Sequence, residues 1–233
     1  MKNLFLIVFL FLLTTGCGSF TKSSSDPDPT PVAATTKWLF GNSLLAWNDQ
    51  GIMRDLISLG DTGWQSRAFV GATVSQVTDE YETVLNQGHT VTEAVLDGGA
   101  NDLFLATSVC YDINNDYPYG QISPQCQHVL TVAIHNIGHI IDQMKGSGTT
   151  RKIVVIGPYY LRGLAEGYNA AADFAMPLFQ SICYDSYTTE CSVIDPRQVF
   201  LAGGSDYYWL DGIHPSLIGS QILASMIESQ LRR

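Results

Sequence analysis

A serine hydroxyl is a poor nucleophile until a nearby base takes its proton, and an imidazole serves best when a carboxylate orients it. The sequence offers such a set. Asp211-Gly212-Ile213-His214-Pro215 places a carboxylate three residues before a histidine. Gly212 between them permits a tight turn, so acid and base can meet on one short loop. Ser43, in Gly41-Asn42-Ser43-Leu44, is the candidate nucleophile. His214 would take its proton and later return it to the departing alcohol, while Asp211 stabilises the imidazolium. Two further groups suit the negative oxygen that such an attack creates. Gly71 lacks a Cβ and lets its backbone N–H come close to a substrate. Asn101, in Gly99-Ala100-Asn101-Asp102, can aim a side-chain N–H at the same oxygen. Each residue alone also has a purely structural use: Ser43 as a helix cap, Asn101 in a turn, Asp211 binding backbone, His214 exposed before a proline.

These residues act together only if regular elements carry them to one place. Short apolar runs alternate with amphipathic stretches from residue 37 onward. Strands are expected at 38–40, 66–70, 93–96, 152–156 and 191–194. Helices are expected at 49–59, 73–85, 128–144, over part of 163–183, and at 215–231, where Pro215 suits a first turn. Such alternation specifies a parallel five-stranded sheet covered on both faces, an α/β fold built as a three-layer α/β/α sandwich. Reactive residues in open parallel sheets sit on loops at the carboxyl ends of strands. The blocks around Ser43, Gly71 and Asn101 follow the first three strands, and Asp211-to-His214 precedes the last helix.

Taken together and in this order, the four blocks resemble the SGNH (GDSL-type) hydrolase family, over the whole stretch from about Trp38 to the C-terminus. The resemblance implies a flavodoxin-like sheet and cofactor-free hydrolysis of esters or thioesters through an acyl-enzyme. It also implies residue roles: Ser43 as nucleophile, Asp211 and His214 completing the triad, and the Ser43 backbone N–H with Gly71 and Asn101 forming the oxyanion hole. One departure is visible. The family usually carries Asp where this chain has Asn42, a change outside the triad that bears on hydrogen bonding around the serine. Short-acyl, carbohydrate and lipid esters are all open as substrates. A lysophospholipase or thioesterase with the same triad is an alternative, as is a non-catalytic lipoprotein binding glycan or lipid on a retired hydrolase fold. Tyr159, Tyr160, Tyr208 and Trp209 cluster near the blocks and are candidates for lining a substrate pocket.

The N-terminus reads differently. Lys2 precedes an apolar run over residues 4–13, too short for a membrane-spanning helix but shaped like a secretory signal. Cys17 directly after Thr14-Thr15-Gly16 resembles a bacterial lipoprotein cleavage site, although Thr14 stands where that motif usually has an aliphatic residue. The expected organisation is a signal peptide at 1–16, a lipidated Cys17 opening a Pro/Ser-rich tether to residue 36, and a catalytic domain at 37–233. This places the protein in a bacterial cell envelope, anchored to a membrane by lipid at the periplasmic or outer surface. Free secretion is the second choice. With Cys17 set aside, Cys110, Cys126, Cys183 and Cys191 allow two disulfides in an oxidising compartment. Neighbour pairing, Cys110–Cys126 and Cys183–Cys191, closes one loop each and is the simplest. The first would brace the 103–127 insert as a flap over the cleft.

Composition narrows the partners. The 233 residues carry 12 Lys+Arg against 22 Asp+Glu, a net charge of −10, which argues against nucleic acid. His135 and His139 lie four apart on an expected helix with His128 upstream, but no carboxylate or thiolate completes a metal site. Asp112, Asn114 and Asp116 alternate without the glycine and closing glutamate of a calcium loop. The expectation is therefore no metal, no cofactor, a small-molecule or glycan/lipid ester as substrate, and a monomer.

Overall fold

The computed structural model describes residues 36–110, 121–163 and 168–233. The expected signal peptide, Cys17, nearly all of the tether and the 112–116 loop lie outside them. Five strands, β1 (Lys37–Phe40), β2 (Trp64–Ser66), β3 (Glu93–Leu96), β4 (Lys152–Ile156) and β5 (Glu190–Ile194), form one sheet in the order β2-β1-β3-β4-β5. Every pairing is parallel. The expected sheet is thus the one observed.

Alternating strand residues feed two cores, because successive side chains point to opposite faces. Trp38, Phe40, Ala94, Leu96, Ile153 and Val155 pack under α2 (Val74–Asn86), α5 (Pro124–Gly146) and α6 (Asn169–Ile182). Leu39, Val95, Val154, Ile156 and Ile194 face the opposite way, under α1 (Ser43–Ser58), α7 (Arg197–Gly203) and α8 (Leu217–Leu231). Two short helices, α3 (Ala100–Leu105) and α4 (Thr107–Cys110), follow β3 and join the start of α5 in a smaller third cluster.

Several expected boundaries are corrected. The second strand lies at Trp64–Ser66, not 66–70. Beyond Ser66 only Arg67 and Phe69 still donate to Leu39 and Gly41, because the β1 chain is already leaving the sheet for α1. The first helix begins at Ser43, ahead of the expected 49, and is interrupted over Trp47–Gln50. The last helix begins at Leu217 with Ser216 as its cap, the Ser216 hydroxyl accepting from the Gly219 N–H at 3.1 Å. Pro215 therefore precedes the cap instead of opening the helix.

Both neighbour disulfides are present, Cys110–Cys126 and Cys183–Cys191. The first ties α4 to the opening turn of α5, and both of its half-cystines are buried. Cross-linking a loop of this length removes unfolded-state entropy worth about 3 kcal/mol. Replacing Cys110 and Cys126 together by Ser is expected to lower the urea-unfolding free energy by about that amount. A loss under about 0.5 kcal/mol would show that the bridge does not restrain the unfolded chain.

Candidate active site

Ser43 opens α1 directly after β1 and sits at the carboxyl edge of the sheet. Asn42 is the N-cap of that helix, only 2% exposed, and its Oδ1 accepts from the Leu44 N–H at 2.9 Å. That capping bond leaves the Ser43 backbone N–H among the first-turn donors that have no intrahelical partner. The departure from the family pattern thus has a physical role here, since an amide oxygen fills the cap as well as a carboxylate does.

The side chains of Asp211 and His214 are in contact. Asp211 Oδ2 lies 2.6 Å from His214 Nδ1. Its other oxygen, Oδ1, accepts from the backbone N–H groups of Ile213 and His214, both at 2.9 Å. Burial works against charge on Asp211, but the His214 ring and those two N–H groups outweigh it and hold the carboxyl below its ordinary range. The carrying loop is closed on itself. The Trp209 N–H donates to the His214 carbonyl at 2.8 Å, and the Gly212 N–H donates to the Trp209 carbonyl at 3.0 Å. Tyr159 hydroxyl donates to the Ile213 carbonyl, fixing the same turn from β4's side.

Gly212 adopts φ +69°, and a Cβ there would run into the carbonyl of Arg162, the residue whose backbone N–H donates to the Gly212 carbonyl at 2.9 Å. Both strain and collision fall between the acid and the base. Gly212→Ala is expected to lower kcat about 10²-fold, the scale of an ångström-level misplacement of a catalytic group. Steady-state ester hydrolysis by the folded variant measures this, and a loss below threefold would mean the loop absorbs the change.

The blocks around Gly71 and Asn101 are joined to each other. Asn101 Nδ2 donates to the Ala72 carbonyl at 2.9 Å, and Asp102 Oδ2 accepts from the Val74 N–H at 3.0 Å. Together these bonds pin the loop that holds Gly71 at φ +85°, a left-handed conformation natural to glycine. One Asn101 N–H is thus used on backbone, leaving a second for a substrate oxygen.

Ser43 and His214 meet as walls of one cavity rather than through a hydrogen bond between their side chains. Of the four aromatic candidates, only Tyr159 lines that cavity. The Tyr160 hydroxyl donates to Asp173 at 2.7 Å, the buried Tyr208 donates to the Tyr160 carbonyl at 2.5 Å, and Trp209 is half exposed. His135 and His139 pack ring to ring, 4.3 Å between centroids. Among the described residues no group of three or more His, Cys, Asp or Glu could hold a metal ion.

Two residues that sequence reasoning passed over belong to the site. Trp47 stacks flat on His214, with centroids 3.8 Å apart and planes 8° apart. It is turned there by a left-handed run at Asn48, Asp49 and Gln50, with φ of 53°, 55° and 60°. Non-glycine residues adopt that conformation at a cost of roughly 1–2 kcal/mol each. Asn48 Nδ2 helps to hold the run by donating to the Pro215 carbonyl at 3.0 Å and to Ser220 Oγ at 3.2 Å. The second is Asp97, just past β3, buried on the cavity wall beside Asn42 and Ser43. Burial pushes its carboxyl from the ordinary 3.8 up to about 7, against the backbone N–H groups of Asn42 and Gly98. An acid directly after an apolar strand was its one sequence signal; for Trp47 there was none.

This parallel sheet, with its candidate serine, oxyanion donors and acid–base pair on loops at the carboxyl ends of strands, has the fold of the SGNH-type hydrolases. The chain is similar to an acetylxylan esterase of Geobacillus stearothermophilus, solved as a catalytic mutant, at 16% identity and TM-score 0.61, covering 87% of this chain and 96% of that one. It is similar to a lipase from a goat rumen metagenome at 14% identity and TM-score 0.63, over 83% and 96% of the two chains. The catalytic domain of the Streptococcus pneumoniae peptidoglycan O-acetyltransferase matches at 15% identity and TM-score 0.57, over 85% and 93%. No protein-family model matches the sequence, and neither does any curated protein.

Proposed function

We propose that the chain is an exported serine hydrolase that cleaves carboxylic esters through Ser43, His214 and Asp211. One observation carries this reading above the others: a carboxylate-oriented imidazole, Asp211 Oδ2 to His214 Nδ1 at 2.6 Å, opens onto the same cavity as Ser43. With Nδ1–H held by Asp211, the Nε2 lone pair is the base. It takes the Ser43 proton as Oγ bonds to the ester carbonyl carbon. The carbonyl oxygen becomes an oxyanion, with the N–H groups of Ser43 and Gly71 and the free N–H of Asn101 as its donors. Collapse expels the alcohol, which leaves with the proton from Nε2. Water then repeats the sequence on the acyl-enzyme, releasing the acid and restoring Ser43.

Structurally similar esterases, a lipase and an acetyltransferase support ester-acting chemistry on this fold. Two disulfides support an oxidising compartment, in keeping with the signal-like leader. Membrane attachment by lipid at Cys17 is proposed from the lipoprotein-like Gly16-Cys17 site; among the described residues no helix is long and apolar enough to cross a membrane.

A fluorophosphonate probe tests the chemistry, because it esterifies only a serine that a working base activates. Wild-type protein is expected to be labelled and to hydrolyse p-nitrophenyl esters, and Ser43→Ala to do neither. An unlabelled wild type without turnover would favour the ligand-binding lipoprotein over an enzyme.

A further inference from the structure

We infer that the cavity behind Ser43 is an acyl pocket, built for a medium-length hydrocarbon chain of roughly six to ten carbons rather than for an acetyl group. This rests on the esterase reading and names its substrate class. The cavity runs from Ser43 and His214 into the layer between α5 and α6. Its walls past the mouth are hydrocarbon: Leu103 of α3, Leu130 and Ile134 of α5, Ala172, Ala175 and Phe179 of α6. The alanines make the space, since their short side chains stop where a leucine would fill it. Lining residues on α6 run from Ala171 to Phe179, a stretch that rises roughly 12 Å along the helix axis.

Polar groups on the wall are few and mostly engaged. The Tyr159 hydroxyl donates to the Ile213 carbonyl, and the Tyr168 hydroxyl shares a hydrogen bond with Thr107 at 3.0 Å. Asp97 and Asn42 are the exceptions, and both sit at the Ser43 end. A sugar pushed into this space would bury hydroxyls without partners, which is costly. An acetyl group would leave most of it unfilled. A hydrocarbon chain matches the wall and displaces no needed hydrogen bond. The chain on either side of Asp211 and His214 also exposes apolar side chains. Leu210, next to Asp211, is 98% exposed, and Leu217 and Ile218, just past His214, are both more than half exposed. Exposed apolar side chains flanking the Asp211–His214 loop suit a substrate presented from an amphiphile assembly.

The experiment is a chain-length series of p-nitrophenyl esters from acetate to decanoate, on wild type, Ala172→Phe and the milder Ala172→Leu. Each methylene that reaches the pocket is worth up to about fourfold, so wild-type kcat/KM is expected to rise on the order of 10²-fold from acetate to octanoate. Ala172 is buried on the cavity wall, and a larger side chain there fills the space. The octanoate-to-acetate ratio is expected to fall at least about tenfold in Ala172→Phe and by less in Ala172→Leu. A wild-type profile led by acetate, or a ratio unmoved in both folded variants, overturns the acyl pocket and leaves the esterase reading intact. Failure to turn over any ester overturns the esterase reading instead. The pocket is then read from thermal unfolding: decanoate raising Tm where acetate does not supports it, and equal shifts overturn it.

Discussion

Asp211→Asn is expected to lower kcat for ester hydrolysis on the order of 10⁴-fold while leaving the fold intact. The loop geometry dictates why. Two backbone N–H groups, from Ile213 and His214, converge on Oδ1 at 2.9 Å. An asparagine must turn its carbonyl oxygen toward those donors, because its NH₂ cannot accept from them. The NH₂ then falls where Oδ2 now lies, 2.6 Å from His214 Nδ1. A donor facing Nδ1 forces the ring proton onto Nε2, and that tautomer cannot take the Ser43 proton. The imidazolium formed in the reaction also loses its counter-charge. Steady-state kinetics on a p-nitrophenyl ester measure the loss, with thermal unfolding as the control for structure. A reduction smaller than about tenfold would mean that His214 is oriented by something else, and the flat stack of Trp47 on its ring would be the first candidate.

How much of this was legible depends on the range of the interaction behind each feature. Glu93–Leu96 and Lys152–Ile156 were read to the residue, because buried strands of a parallel sheet are unbroken apolar runs and glycines soon follow both. The edge strand Trp64–Ser66 was misplaced. It is three residues long with Gln65 exposed, and its pairing depends on where β1 leaves the sheet. Helices α3, α4 and α7 went unread because four to seven residues are too few for an amphipathic period to show. The acid–base pair was legible because its contact spans three residues of chain. Trp47 was hidden because its contact with His214 crosses the whole domain and is reached only through a left-handed turn. The cavity was hidden for a similar reason. The alanines of α6 look like ordinary packing positions until the opposing helix is in place.

The stability of the wild type is expected to fall by about 4 kcal/mol as pH rises from 4 to 8 on account of Asp97 alone, and Asp97→Asn to abolish that loss. In the fold this carboxyl titrates near 7, against an ordinary value of 3.8, and burial is the dominant cause. Between those two values the folded chain holds a proton that the unfolded chain has released. Unfolding therefore becomes easier with each step up in pH, and the penalty is complete above about 7. The contribution fades as pH falls through the ordinary 3.8, where the unfolded carboxyl takes up its proton as well. Asparagine reproduces the neutral carboxyl: its oxygen can keep the Asn42 and Gly98 N–H groups that favour Asp97, and its NH₂ takes the place of Oδ2, which has no hydrogen-bond partner. Unlike the native side chain, it cannot ionise. Urea unfolding of both proteins across pH 4–8 isolates the effect, since every other titrating group is common to the pair and cancels in the difference. The variant should match the wild type at pH 4 and exceed it by several kcal/mol at pH 8. A difference that stays flat across the range would mean that Asp97 keeps its charge in the fold, and would place an anion on the wall beside Ser43 where the reaction builds another.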